Sequence, residues 1–154
     1  VMDEFREAFR RKRSALLKRE IDLKGRRILL AEDVAINAEI MIMVLGMREI
    51  TVDHAGNGQI AVDMYMAKEP GYYDAILMDI QMPVMDGYEA TTKIRSMSDP
   101  GHAGIPIIAM TANVFEEDMR RCLEAGMDEF IPKPIEIDKV IRTLTPVLLA
   151  RGRM

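Results

Sequence analysis

From Arg26 onward the chain repeats one pattern five times: a short apolar run of strand length, then a segment with helical periodicity. Ile28-Leu29-Leu30-Ala31 is the first apolar run, and residues 36–47 follow as a helix. Ile50-Thr51-Val52-Asp53-His54-Ala55 predicts a second strand, with Asn57-Gly58 turning into a helix through Ala67. The third strand is Ala75-Ile76-Leu77-Met78-Asp79, and Asp86-Gly87 leads into a helix through Arg95 with Asp86 as its cap. Residues 99–104 read as a loop, 105–111 as a fourth strand and 116–125 as a helix closed by Gly126. Glu129-Phe130-Ile131 is a short fifth strand before a last helix over 135–149. Strands joined by helix-length crossovers run parallel and wind right-handed. The expected fold is therefore α/β, a doubly wound five-stranded parallel sheet with helices on both faces.

An extra N-terminal helix is expected over residues 1–22, ended by Leu23-Lys24-Gly25. The predicted division is a linker helix at 1–24, one globular domain at 25–150 and a tail at 151–154. Because the first residue is Val, the chain reads as a fragment whose first segment joined it to an upstream domain. Its first 24 residues carry net charge +3 and the remainder −7, out of a total of −4. The mixed signs of the arm, with Phe5 and Phe9 at i and i+4, point to an amphipathic helix packing on a neighbour rather than to nucleic acid. Leu16 extends that stripe, and self-association as a homodimer stays open. No apolar stretch approaches the roughly 18 residues that span a bilayer. Cys122, the single cysteine, lies in a helical pattern and reads as a buried reduced thiol of a cytoplasmic chain. A membrane anchor elsewhere in a parent protein is compatible with all of this. Met41, Met43 and Met47 recur along one helix and read as packing.

In a parallel sheet every strand's C-terminal end meets the same edge. The residues that fall there are Glu32 and Asp33, then Asp79, then Thr111, then Lys133 just past the fifth strand. Three carboxylates, a hydroxyl and an ammonium have no packing rationale together. The carboxylates repel one another, so a cation belongs with them. All-oxygen donors without His or Cys favour magnesium over zinc. An Asp neutralised in this way, with a Lys beside it, can attack a phosphoryl group and become an acyl phosphate. Thr111 could then donate its hydroxyl to a phosphoryl oxygen.

This ordered set resembles the receiver domain of two-component response regulators: Glu32-Asp33, Asp79 within "LMDIQMPVMDGYEA", Thr111 in "MTAN" and Lys133 in "PKP". The resemblance covers residue 25 to about residue 149, and the wording is most similar to receivers of hybrid sensor histidine kinases. It implies a flavodoxin-like fold and a phosphorelay role, with Asp79 phosphorylated by a histidine kinase or a histidine phosphotransfer domain. It further implies magnesium on Asp33, Asp79 and the backbone carbonyl of Gln81, with Glu32 acting through water. Lys133 would contact the phosphoryl group, Thr111 would be the switch hydroxyl, Phe130 the switch aromatic, and Lys133-Pro134 a cis bond. Val34 and Ala35 depart from the polar residues common after the acidic pair. Gln81 and Ala112 stand where the family tunes phosphoryl lifetime.

Two rival readings differ in class. A receiver-like binding module that does not switch would have no use for the intact acidic set. A magnesium-dependent phosphohydrolase would need an acid–base carboxylate where Gln81 stands, and a substrate cap. A DNA-binding regulator would need a helix-turn-helix segment, and none follows Leu149 in this sequence.

Overall fold

The computed structural model describes residues 2–11 and 23–151. Helix α1 covers residues 2–11. Beyond it come β1 (Arg27–Ala31), α2 (Ala35–Gly46), β2 (Thr51–Ala55), α3 (Gly58–Met66), β3 (Ala75–Asp79) and α4 (Gly87–Arg95). The chain continues through α5 (Pro100–Ala103), β4 (Ile107–Thr111), α6 (Glu116–Ala125), β5 (Glu129–Pro132) and α7 (Ile137–Arg151).

The five strands pair in parallel in the order β2-β1-β3-β4-β5. Alternate strand residues sort to the two faces. Leu29, Ile76, Met78, Ile107 and Ala109 pack with α3, α4 and α6 residues such as Tyr65, Ile94 and Cys122. Ile28, Leu30, Leu77, Ile108 and Met110 pack instead with Met41 and Leu45 of α2 and with Val140 and Leu144 of α7. The central strands β3 and β4 are buried at every residue. Each fully buried Ile or Leu there contributes roughly 1.5–3 kcal/mol. That two-sided burial is why they read as continuous apolar runs.

The expected caps at Asp86 and Gly126 form, and Asn57 caps α3 as well. Asn57 accepts from the Ile60 N–H and Asp86 from the Glu89 N–H, both at 2.9 Å. Gly126 takes the left-handed conformation, with φ 104°. Cys122 is buried.

Four local expectations need correction. The 99–104 loop contains the single turn α5, with Asp99 capping the Gly101 N–H and Pro100 at its first position. Strand β4 begins at Ile107 rather than Ile105, because Pro106 has no N–H to give the ladder, although its carbonyl accepts from Ile76. The last helix runs Ile137–Arg151. Of Met41 and Met43 in α2 and Met47 at its C-cap, only Met41 is buried, while Met43 and Met47 are exposed. In α1, Phe5 and Phe9 are also exposed, and residues 12–22 with Leu16 lie outside the described residues. Among the described residues, no helix is long and apolar enough to cross a membrane.

Candidate active site

The chain leaves β1 outward to β2 and then returns across β1 to β3, so the two neighbouring strands β1 and β3 diverge in connection. Their C-terminal ends form the crevice where such sheets bind ligands. Glu32 and Asp33 follow β1 directly, and Asp79 ends β3. The Asp79 loop is folded back tightly: Ile80 N–H donates to Met110 O at 3.2 Å, and Gly87 N–H to Ile80 O at 2.8 Å. A Cβ on Gly87 would collide with the backbone carbonyl of Asp79, so this return requires glycine. At the loop's tip Val84 adopts φ 70° while Met85 N–H donates to Pro83 O at 2.7 Å, a γ-turn with a β-branched residue at its centre.

The carboxylate of Asp79 belongs to a residue only 2% exposed. Lys133 Nζ donates to its Oδ2 at 2.8 Å, and Gln81 N–H reaches its Oδ1 at 3.3 Å. The Lys133 N–H donates to Thr111 O at 2.7 Å, which fixes its backbone against the end of β4; the Lys133-Pro134 bond is cis. Single oxygens of Glu32, Asp33 and Asp79 all lie within 4.8 Å of one another. Glu32 is 3% exposed, and its Oε2 has no hydrogen-bond partner. Burial first, then the adjacent Asp79 carboxyl, pushes Glu32 up to about 7, with Asn37 and Lys133 pulling the other way. A buried carboxylate oxygen without a partner, between two more carboxylates, fits a hard divalent cation held by oxygen donors.

Gln81 and Thr111 line the same cavity as Asp33, Asp79 and Lys133, a space of about 480 Å³. The Thr111 hydroxyl does not point at Asp79. It donates to Asn113 O at 2.9 Å and accepts from Asn113 N–H at 3.0 Å. Phe130 stands apart, 41% exposed on β5 over a hollow lined by Met119, Cys122 and Leu123. His54 is an exposed strand residue whose Nε2 lies 2.7 Å from Glu32 O. Sequence reading missed Tyr88, Asp118 and Arg121, which also line the cavity. The available signal was that the helix after the fourth strand starts at the same sheet edge, so its i and i+3 residues can face the crevice.

An open doubly wound α/β domain with an acidic crevice at its switch point is the class that fold and site define. The chain belongs to the response regulator receiver domain family, which it matches over residues 28–145. Hybrid signal transduction histidine kinase B of Dictyostelium discoideum is 40% identical over 127 residues, covering 77% of this chain and 6% of that protein. The receiver domain of sensor histidine kinase PA1611 from Pseudomonas aeruginosa, solved with magnesium coordinated in its active site cleft, is 36% identical. It superposes with a TM-score of 0.72, covering 80% of this chain and 98% of that one. A chain in the co-crystal of the Saccharomyces cerevisiae phosphotransfer protein Ypd1 and the receiver domain of Ssk1 gives 27% identity and a TM-score of 0.75. That match covers 86% of this chain and 94% of that one. The chain spans between 5% and 14% of the length of eight curated relatives of high similarity, which are histidine kinases by name. It is a receiver domain of the two-component phosphorelay type.

Proposed function

We propose that Asp79 accepts a phosphoryl group from a phosphohistidine, and that the parent protein is a hybrid sensor histidine kinase. One observation carries the reading: a nearly buried carboxylate opens on the crevice with an ammonium at 2.8 Å and two more carboxylates beside it. An Asp79 oxygen forms the bond to phosphorus while the phosphorus–nitrogen bond breaks. The electron pair leaves with the donor imidazole, and the product is an acyl phosphate. The Lys133 N–H groups offset charge on the transferring oxygens. Magnesium, held by Asp33, Asp79 and the Gln81 carbonyl with Glu32 acting through water, would neutralise charge on the same oxygens.

The switch follows from what Thr111 gives up. Its hydroxyl leaves Asn113 and donates to a phosphoryl oxygen, exchanging neutral bonds for a charge-assisted one and moving the loop between β4 and α6. Phe130 is the aromatic that repacks as that loop moves. The protein donor, a histidine kinase or a histidine phosphotransfer domain, docks on α2. There Ile36, Ile40, Met43 and Met47 recur at i, i+4, i+7 and i+11 and are all exposed, the pattern an apolar helix face offers a partner helix. Residues 25–150 form this phosphoacceptor unit and 1–24 serve as its linker, of which residues 12–22 lie outside the described residues. The domain assists its own phosphorylation rather than turning over a substrate, and works in the cytoplasm.

Intact mass after incubation with a small acyl phosphate tests the assignment. A single phosphoryl adduct is expected on the wild type with magnesium, and none on Asp79→Asn or in chelator. An unmodified, folded, magnesium-saturated wild type would leave a non-switching binding module instead.

A further inference from the structure

Arg121 lies at the rim of the Asp79 cavity, on the exposed side of α6. Its guanidinium carbon sits 4.2 Å from the centroid of the Tyr88 ring, which lines the same cavity. Among the described residues it has no carboxylate partner in ion-pair distance, although Asp118 stands one helical turn back and lines the cavity too. A ring face holds a guanidinium through its π surface and leaves the N–H fork uncommitted, whereas a carboxylate would occupy that fork. The other cation of the cavity, Lys133, is already bonded to Asp79.

The charges around this space explain what a second cation could do. Asp33, Asp79, Asp86 and Asp118 all line it, with Lys133 and Arg121 as the opposing charges. An approaching phosphodonor carries a dianionic phosphoryl group into a mouth dominated by carboxylates. Without a cation at the rim the field there opposes entry.

We propose that Arg121 is a positioning residue for the phosphodonor, capturing the incoming phosphoryl dianion with the N–H fork that Tyr88 leaves free. The inference rests on Asp79 being the acceptor. Its ligand is the phosphoryl group of a phosphoramidate or acyl phosphate, met before the group reaches Asp79. Arg121 therefore acts on capture, and the lifetime of the finished acyl phosphate is independent of it.

The test follows phosphoryl incorporation from acetyl phosphate with saturating magnesium, on the full chain, for wild type, Arg121→Gln, Arg121→Lys and Asp79→Asn. At low ionic strength Arg121→Gln should lower the second-order rate constant about 3- to 10-fold. The gap should close as salt is raised to about 0.5 M, where the Debye length falls below a side chain's reach. Arg121→Lys should recover most of the rate, and all phosphorylated forms should decay alike. A labelled wild type matched by Arg121→Gln at low salt would overturn the proposal, as would a deficit that persists unchanged at high salt. An unlabelled wild type would instead bring down the Asp79 assignment on which it rests.

Discussion

The two edges of the sheet are built on opposite electrostatic terms. At the N-terminal edge Arg26, Arg27 and Arg95 all meet carboxylate partners. The Arg26 guanidinium is buried 3.8 Å from Asp74 and donates to Leu148 O at 3.1 Å, while Arg27 N–H donates to Asp74 at 2.8 Å. The Arg27 side chain pairs with Asp53 at 2.8 Å, and the Tyr73 hydroxyl donates to the same carboxylate at 2.8 Å. Arg95 donates to Gly126 O, Ala103 O, Ile105 O and Asp128, tying α4 to the starts of β4 and β5. At the C-terminal edge three carboxylates crowd within 4.8 Å, one buried oxygen has no partner and a valine holds a left-handed turn. One edge spends its charges on stability. The other sets three carboxylates against the single ammonium of Lys133, an excess of negative charge that a cation and a phosphoryl group can complete.

Substitutions that break the comparison should therefore act in opposite directions at the two edges. The largest effect belongs to Asp74→Ala, which strands the Arg26 guanidinium in the interior. Removing one partner of a buried pair costs about 3–5 kcal/mol. Chemical denaturation should show this loss in full with magnesium present or absent. An effect below about 1 kcal/mol would mean that the matched edge does not carry the stability assigned to it.

At the opposite edge Glu32→Gln should stabilise the metal-free protein. Above the value of about 7 to which Glu32 is pushed, the amide removes one of three crowded charges and can donate to a neighbouring Asp oxygen, a gain of about 1–2 kcal/mol. That gain shrinks as pH falls and Glu32 takes up its proton. Thermal melts in chelator should rise accordingly. Magnesium should stabilise the variant less than the wild type, with affinity weakened roughly tenfold. A variant that melts lower in chelator would show that the crowding at this edge is already relieved.

The contrast between the edges was only half visible in the sequence. Carboxylates that end apolar strands announce themselves, so Glu32, Asp33 and Asp79 could be placed from β-strand pattern and the parallel rule alone. Lys133 was legible from its flanking prolines, and the αβ order from the regular repeat. The matched edge was hidden, because Arg26, Asp53 and Asp74 look like ordinary polar residues in or beside strands until register brings them together, and Asp128 until the fold sets it beside Arg95 and Ile107. Arg95 was invisible for the same reason: its partners lie 8 to 33 residues away. The α2 methionines show the opposite error. Helical periodicity identifies an apolar stripe but cannot say which of two stripes faces the sheet, so Met43 and Met47 read as core while they lie in solvent. Thr111 was placed correctly at the crevice, yet its local bonds to Asn113 depend on loop dihedrals that no residue pattern encodes.

The smallest expected effect is at Val84. The residue is 80% exposed, so its side chain contributes little packing to set against its backbone. A left-handed conformation costs a β-branched residue about 1–2 kcal/mol relative to glycine. Glycine forfeits part of that difference through the extra freedom of its unfolded chain. The net gain for Val84→Gly should be about 0.5–1 kcal/mol, a rise of a few degrees in melting temperature. Because the Met85 N–H to Pro83 O bond survives the change, Asp79 should keep its position and its rate of phosphoryl uptake. A stabilised variant with unaltered uptake would mark the strain as incidental to the chemistry. A stabilised variant that takes up phosphoryl groups more slowly would mean the strained turn itself holds the acceptor loop in its working shape, and the contrast between the edges would then extend from charge to backbone.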